Sequence, residues 1–390
     1  MLLTRIRNLV WTANQSDTSA AYSVANSSAV AENHYRQTVS DRRSEASTPT
    51  QQANVVCCTM NDNADQRWFC DQIESDQISW HFTYRKPLGL LGKLIKRPNL
   101  QKIYSSFWAV KMAKAKNADL LISHEAELTF WCAFFSRVLR VKVEHIAFAF
   151  NYPFQPSRLR RFLMTQVLDS VNRFVVSSSI EKQLYQQYFK LPADRIEVQL
   201  WKMGHIDYAP EQPIELGDYI CAVGQYGRDY PTLISAMEQL PDIKLILINR
   251  SHNSAELPVP PNVKVLTDVE GDQAMNMLNF SRFMVLPLMN SQMPTGHITL
   301  VAAMKLSKAI IITRSRGILD YVEDGHTALT YQPADVDALA RLIRNLWTDP
   351  AKSQLIGENA KAFAEQNCSE VSAINHLKNM LVERGLLAPS

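Results

Sequence analysis

The chain has 390 residues and a mass of 44.3 kDa, too long for one ordinary core and sufficient for two domains. Its 46% apolar and 20% charged residues, with a mean hydropathy of −0.17, are those of a soluble globular protein, and apolar runs such as "FWCAFF" and "AIIIT" fall far short of a membrane span. A net charge of +3 argues against a polyanion binder by overall balance and moves attention to local charge.

Residues 1–53 read as a disordered leader, because from residue 14 onward they are rich in Ser, Ala, Asn, Gln and Thr and lack the large aliphatic side chains that repay folding entropy. At its start Leu2, Leu3, Ile6, Leu9, Val10 and Trp11 fall near one helical face beside Arg5 and Arg7, which suits an interfacial anchor as well as a frayed terminus. The start lacks the long apolar core and the cleavage site of a signal peptide, so secretion is not expected.

A first domain is expected over 54–210. It opens on the β-rich "NVVCCTM" and continues through a segment, 85–116, with nine Lys or Arg and no Asp or Glu. Leu88, Leu90, Leu91, Leu94, Ile95, Phe107 and Trp108 interleave with those cations, a pattern that suits an anionic inner-membrane leaflet or else a solvated helix face. No recognition module accompanies the charge, so nucleic acid is not an expected partner. Strand-like and helix-like runs then alternate: "ADLLISH", "ELTFWCAFFSRVL", "KVEHIAFAF", a helix near 157–170 whose "PSRLRRFLM" could extend the basic surface, "RFVVSSS" and "SIEKQLYQQYF". After the polar connector "DYAPEQPIELGD" the alternation restarts in a second domain expected over 217–372. Its strands are "DYICAVG", "KLILIN", "NVKVLT", "FMVLPL" and "KAIIIT", and a last helix over 373–390 could cross back to the first domain. This predicts an α/β protein of two Rossmann-like, doubly wound domains facing each other across a ligand cleft. Cys57, Cys58, Cys70, Cys132, Cys221 and Cys368 show no paired CxxC spacing and read as buried, reduced thiols of a cytoplasmic protein.

Two turns carry the candidate chemistry. "YICAVGQYGRDYPTLISAM" joins strand to helix through Gly224, Gln225, Gly227 and Arg228, where glycines let backbone N–H groups approach an anion and an arginine can bridge two phosphate oxygens; an ordinary βα turn with a surface arginine is the alternative. "QMPTGHITLVAAM" repeats the logic, with Thr295, Gly296 and His297 at a helix start and the Thr299 hydroxyl one turn in. Asn249 and Arg250 end the strand "KLILIN" at the same edge, and Arg314 and Arg316 follow "AIIIT"; each arginine singly reads as a surface residue, and together they suit a phosphate or another acidic group. On the other domain "ISHEAE" ends a strand with His124 and Glu125, which could steer or deprotonate a hydroxyl or could equally be a packed histidine and a capping carboxylate; His145 and Asn151 are further acceptor-side candidates.

Over residues 217–366 the three blocks "AVGQYGRDYPTLISAM", "PPNVKVLTDVEGDQAMNMLNFSRFMVLPL" and "GHITLVAAMKLSKAIIITRSRGILDYVEDGHTALTYQPADVDALARLI" resemble the retaining GT-B glycosyltransferases of the group 1 family; the likeness is looser over 54–210. The resemblance implies a GT-B fold, a nucleotide diphosphate sugar as co-substrate, a lipid-linked or glycan acceptor bound by the first domain, and no cofactor or required metal. It places Asp268 and Val269, with Thr267, beneath the nucleobase. Two departures stand out: where the family keeps a pair of glutamates this chain has Pro294 and Ala302, and Gln225 and Tyr230 stand about where it tends to place Arg and Lys. Arg228 is then the cation expected on the pyrophosphate, and with His124 and Glu125 it forms the candidate catalytic set. An inverting mechanism, a catalytically degenerate scaffold and a nucleotide-sugar epimerase of the same fold remain open alternatives.

Overall fold

The computed structural model describes residues 52–60, 72–73, 75–83, 98–152, 157–203, 212–224, 227–249, 258–289 and 294–389. The expected leader and N-terminal anchor, the first part of the basic segment, Cys70, Gln225 and Arg250 lie outside them.

The first sheet is wholly parallel, in the order β2-β1-β3-β4-β5-β6. Its strands are β1 (Ala53–Cys58), β2 (Ile78–Thr83), β3 (Leu120–His124), β4 (Glu144–Phe148), β5 (Arg173–Val176) and β6 (Ile196–Val198). Helices α1 (Pro98–Ala115), α2 (Ala126–Val138), α3 (Arg158–Leu168) and α4 (Ser179–Phe189) cross between them. The second sheet holds β7 (Ile220–Val223), β8 (Leu245–Asn249), β9 (Val263–Thr267), β10 (Met284–Leu286), β11 (Ile310–Thr313) and β12 (Leu329–Tyr331), also all parallel and ordered β12-β11-β10-β7-β8-β9. Its helices are α5 (Tyr230–Glu238), α6 (Gly271–Phe280), α7 (His297–Lys305), α8 (Val336–Thr348) and α9 (Pro350–Asn367). Strand order reverses between β7 and β10, so their outgoing loops diverge and leave a crevice at the carboxyl ends.

Strands buried on both faces explain the near-continuous apolar runs: Ile220, Leu245, Val285 and Ile311 pack on one side of the second sheet, Cys221, Ile246, Met284 and Ile310 on the other. Helix α10 (Glu370–Glu383) leaves the second domain and packs Ala373, Ile374, Leu377 and Leu381 against Val55, Leu120, Ile122 and Phe148 of the first sheet. Arg384 just beyond it donates to Glu144 at 2.6 Å. Five cysteines, Cys57, Cys58, Cys132, Cys221 and Cys368, are free and buried. The six-residue strand β2, the three-residue strands β6 and β12, and the helix α9 go beyond the elements read from the sequence. The strands of three residues carry too little pattern to register, and α9 declares itself only by the Asp349 side chain capping Lys352 N, with Pro350 in the first turn.

Gly357 shows how α9 is seated. A Cβ there would stand 2.2 Å from the carbonyl oxygen of Ser307 and 3.2 Å from Ala309 N, both rigid backbone between α7 and β11. In an exposed helix Gly→Ala gains up to about 1 kcal/mol; at this position overpacking reverses the sign. Gly357→Ala is expected to destabilise the protein by about 1–3 kcal/mol in denaturant titration, and an unchanged or raised midpoint would contradict the close approach.

Candidate active site

The two glycine turns foreseen from sequence meet around one guanidinium. β7 ends at Val223, and Gly224 then takes φ +148°; a Cβ there would lie 2.2 Å from Nε of Arg228. Gly227, at φ +66°, is as constrained, since a Cβ would come within 2.7 Å of Thr295 Oγ1. From the other turn Thr299 accepts a hydrogen bond from Arg228 Nη2 at 3.2 Å, and Gly296, at φ +95°, caps α7 beside Arg228 and Leu288. The first turn is braced by Tyr230, whose hydroxyl donates to Gly224 O at 2.6 Å, and by Asp229, whose side chain caps α5 through Thr232 N. Backbone bonds from Asp229 N to Pro287 O and from Met289 N to Gly227 O tie it to the end of β10. Arg228 therefore sits at the switch point, half-buried, over the first turn of a nine-residue helix. Burial lowers its pKa from the ordinary guanidinium value, which leaves it charged at any working pH. A cation and helix N–H groups aimed at one crevice can hold a diphosphate.

The remaining second-domain candidates line the same edge. Asn249 ends β8, next to β7, and its carbonyl accepts from Asp268 N at 3.1 Å just beyond β9. Asp268 itself is exposed and left-handed at φ +54°, while Val269 packs into the core beneath. Two strand spacings, about 10 Å, separate β9 from β7, a suitable reach for a nucleoside. The structure revises His297: its ring is buried, its Nε2 lies 2.9 Å from Gly317 O, and it stacks on Tyr321 at 4.7 Å. Only its backbone N–H is left to face the crevice. Pro294 closes against Gly317, where a Cβ would be 2.4 Å from the proline's Cβ, and Ala302 is buried on α7, so neither position offers a carboxylate.

In the first domain Glu125 follows β3 with φ 63° and ψ 157°, a region populated almost only by glycine. Neighbours impose that conformation. Its N–H donates to Phe148 O at 2.9 Å, and its carbonyl accepts from Thr129 Oγ1 at 2.8 Å. Thr129 Oγ1 is 2.8 Å from Ser123 Oγ, which is 2.8 Å from His145 Nε2. His145 thus stands near the amino end of β4, inside the sheet, with its pKa lowered to about 3 by burial; it braces the Glu125 turn and is not brought to the cleft. The Glu125 carboxylate pairs with Lys102 of α1 at 2.6 Å, and Lys102 also reaches Glu127 at 3.6 Å. His124 stacks on Phe148 at 6.2 Å, and burial holds its pKa at about 3, so its ring is neutral and a weak proton acceptor. It lines a cavity of about 120 Å3 together with Ala149, Ser177, Gln199 and Trp201, at the carboxyl ends of β3 to β6.

Asn151 donates its amide to Glu181, a group the sequence reading passed over. Glu181 is fully buried at the start of α4, where it accepts from Ser177 N at 2.8 Å and Ser178 Oγ at 3.0 Å. Its signal was the Ser-x-x-Glu spacing of Ser178 and Glu181, a capping box. Around it the domains touch: Ser179 N and Oγ both donate to Asp320 at 2.8 Å, and the Tyr321 hydroxyl donates to Ser177 O at 2.6 Å while accepting from Trp201 N at 2.8 Å. Among the described residues no cluster of three or more His, Cys, Asp or Glu side chains could hold a metal ion.

With this geometry in view, comparison with known proteins is informative. Residues 213–363 match the sequence model of the family described as glycosyl transferases group 1. Among solved structures the chain is similar to a sucrose-phosphate synthase from Thermosynechococcus elongatus, at 14% identity over 85% of this chain and 99% of that one, with a TM-score of 0.66. It is similar to a glycosyltransferase from Rickettsia africae (13% identity, 87% and 100% covered, TM-score 0.63) and to Anabaena HepE in complex with UDP (16%, 85% and 100%, 0.63). No curated protein matches the chain. The fold is GT-B, two Rossmann-like domains with their strand ends opposed, and the second carries a glycosyl transferases group 1 domain.

Burial raises the Glu181 pKa from 4.5 to about 7 against the opposing pull of its hydrogen bonds. The folded state therefore binds this proton more tightly than the unfolded chain, so stability is fully present below about pH 4.5 and falls as pH rises to about 7, by roughly 3 kcal/mol at most. In Glu181→Gln that decline should flatten in denaturant titrations between pH 4.5 and 8; parallel wild-type and variant profiles would show that Glu181 is not its source.

Proposed function

We propose that the protein is a glycosyltransferase that moves a sugar from a nucleotide diphosphate sugar to a lipid-linked or polysaccharide acceptor, in exopolysaccharide or cell-surface glycan synthesis. The observation that carries this reading is Arg228, fixed between Gly224 and Thr299 at the switch point of the second sheet. Anabaena HepE, similar in fold, has been solved with UDP and with UDP-glucose, which supports a nucleotide sugar in the corresponding crevice here. The donor lies with its base over Asp268 and Val269, its ribose near Asn249, and its diphosphate between Arg228 and the N–H groups that open α7. As the acceptor oxygen bonds to the anomeric carbon, the bond from that carbon to the diphosphate breaks and the electron pair leaves with the nucleotide. Arg228 and the helix start stabilise that developing charge without a metal ion. The acceptor enters from the first domain, where Glu125 is the better proton acceptor because the His124 ring is so weakly basic. Whether the sugar is a hexose or a glycuronate turns on Arg250, Arg314 and Arg316 as an acidic-sugar contact.

Pro294 and Ala302 favour a second reading, a nucleotide-sugar-binding partner without turnover; donor conversion by the protein alone would instead reveal an epimerase. Calorimetric titration with a panel of nucleotide diphosphate sugars tests the first reading. Arg228→Ala should weaken the responding donor by about 10- to 100-fold, the worth of a charged hydrogen bond. Silence across the panel would remove the donor site; binding without transfer or conversion would leave the partner.

A peripheral position on the cytoplasmic face of the inner membrane completes the proposal. No described helix is long and apolar enough to cross a membrane. On α3, however, Leu159 and Phe162 are 60% and 62% exposed, beside Arg158, Arg160 and Arg161. Trp108 of α1 is exposed with Lys111 4.9 Å over its ring. Each basic residue at an anionic surface contributes about 1 kcal/mol. Phe162→Asp combined with Arg161→Glu should release the protein from phosphatidylglycerol vesicles in a sedimentation assay, and undiminished binding would take α3 out of the membrane surface.

A further inference from the structure

The chain crosses between the domains twice, once after β6 and once between α9 and α10, and the two crossings are laced together. Met203 N donates to Cys368 O at 3.0 Å, and the Lys202 ammonium donates to Asn367 O and, at 3.2 Å, to Ser372 Oγ. Between them lies a groove of about 610 Å3 with Gln199 and Lys202 on one wall and Gln366, Asn375 and Asn379 on the other. None of these residues belongs to the donor crevice.

The groove has an unusual chemical character. Its lysine is spent internally, Lys202 on the second crossing, and His376 Nε2 lies 3.3 Å from Glu197, which Arg173 also holds at 3.1 Å. What it presents is neutral amide. Asn375 and Asn379, both exposed, stand one turn apart on α10 and so point the same way, opposite the Gln199 side chain. Each amide offers a donor and an acceptor a fixed distance apart, which matches the vicinal hydroxyls of a sugar and suits neither a phosphate nor an acyl chain. The groove also reaches the proposed acceptor site. Gln199, Leu200 and Lys202 line both it and the smaller cavity under His124, and the His376 ring meets the edge of Phe148 at 6.4 Å, whose other neighbour is His124.

We propose that this amide-lined groove at the domain crossings is a subsite for the neutral glycan portion of the acceptor. The inference rests on the transferase reading above and specifies it: the acceptor is a chain several sugars long, its reacting end at His124 and Glu125 and its body along α10.

Saturation-transfer NMR of the full chain with maltotetraose, cellotetraose and chitotetraose, alongside UDP-glucose, tests it. The expected result is transfer to at least one tetrasaccharide, weakened about tenfold or more in Asn375→Ala/Asn379→Ala and retained in Arg228→Ala. Exposed amides on a helix surface can be removed without loss of fold, and an unchanged melting temperature checks this. Tetrasaccharide signals that persist in the double variant overturn the subsite, as does silence from all three while UDP-glucose binds. Tetrasaccharide binding with no response to UDP-glucose or to the calorimetric panel of nucleotide diphosphate sugars would sink the transferase reading and leave the groove standing; silence from both the tetrasaccharides and the panel would sink both.

Discussion

A guanidinium held where two glycine turns meet is the constraint on which the second domain's crevice depends. Arg228 can lie over β7 only because Gly224 has no Cβ, and it can reach Thr299 only because Gly227 lets the turn close on Thr295. Both turns stand at the carboxyl ends of adjacent strands because strand order reverses between β7 and β10. The fold thus brings the two turns together, and the glycines make room for the charge. Desolvating an arginine is costly unless its donors are used. Here Arg228 is half-buried and donates to Thr299 in the first turn of α7, in a place where water screens its charge little.

Much of this arrangement was legible from residue order. Glycine next to a β-run and before a helix marks a turn whatever the tertiary context, so Gly224, Gly227 and Gly296 could be placed at strand ends, and alternation fixed the parallel sheets. Side-chain direction was not legible. His297 sits beside Gly296 in sequence, yet its ring turns away to Gly317 and Tyr321, twenty and more residues on. His145 in "EHIAFAF" was an acceptor-side candidate; register with β3 puts it opposite Leu121, well back from the edge. The contacts between domains lay beyond reach altogether, since Ser179 and Asp320 are 141 residues apart and nothing local to either announces the other.

The first domain organises its candidate site differently, by hydrogen-bond continuity and not by glycine. A glutamate at φ 63° costs on the order of 1–3 kcal/mol, and the surroundings must over-determine it. They do so through a relay from the buried His145 to Ser123, Thr129 and the Glu125 carbonyl, with the Phe148 carbonyl holding the Glu125 N–H. Lys102 then fixes the carboxylate from α1, the element whose other face carries Trp108 and Lys111. A helix that carries exposed Trp108 and Lys111 on one face therefore also orients the strained carboxylate from the other.

Between these halves polar contacts meet beside Leu200, Trp201 and Met203, which pack onto the second core. Ser179 with Asp320, and Tyr321 with Ser177 and Trp201, supply a handful of hydrogen bonds, each worth about 0.5–1.5 kcal/mol net. Glu181 lies directly behind them, accepting from Ser177 and Ser178, the residues whose neighbours make the contact. Burial pushes its pKa up to about 7, so a titrating carboxyl stands behind a contact between the domains. The chain's two crossings are tied to each other beside it, through Met203 N and Cys368 O and the bridge between Met203 and Ser369.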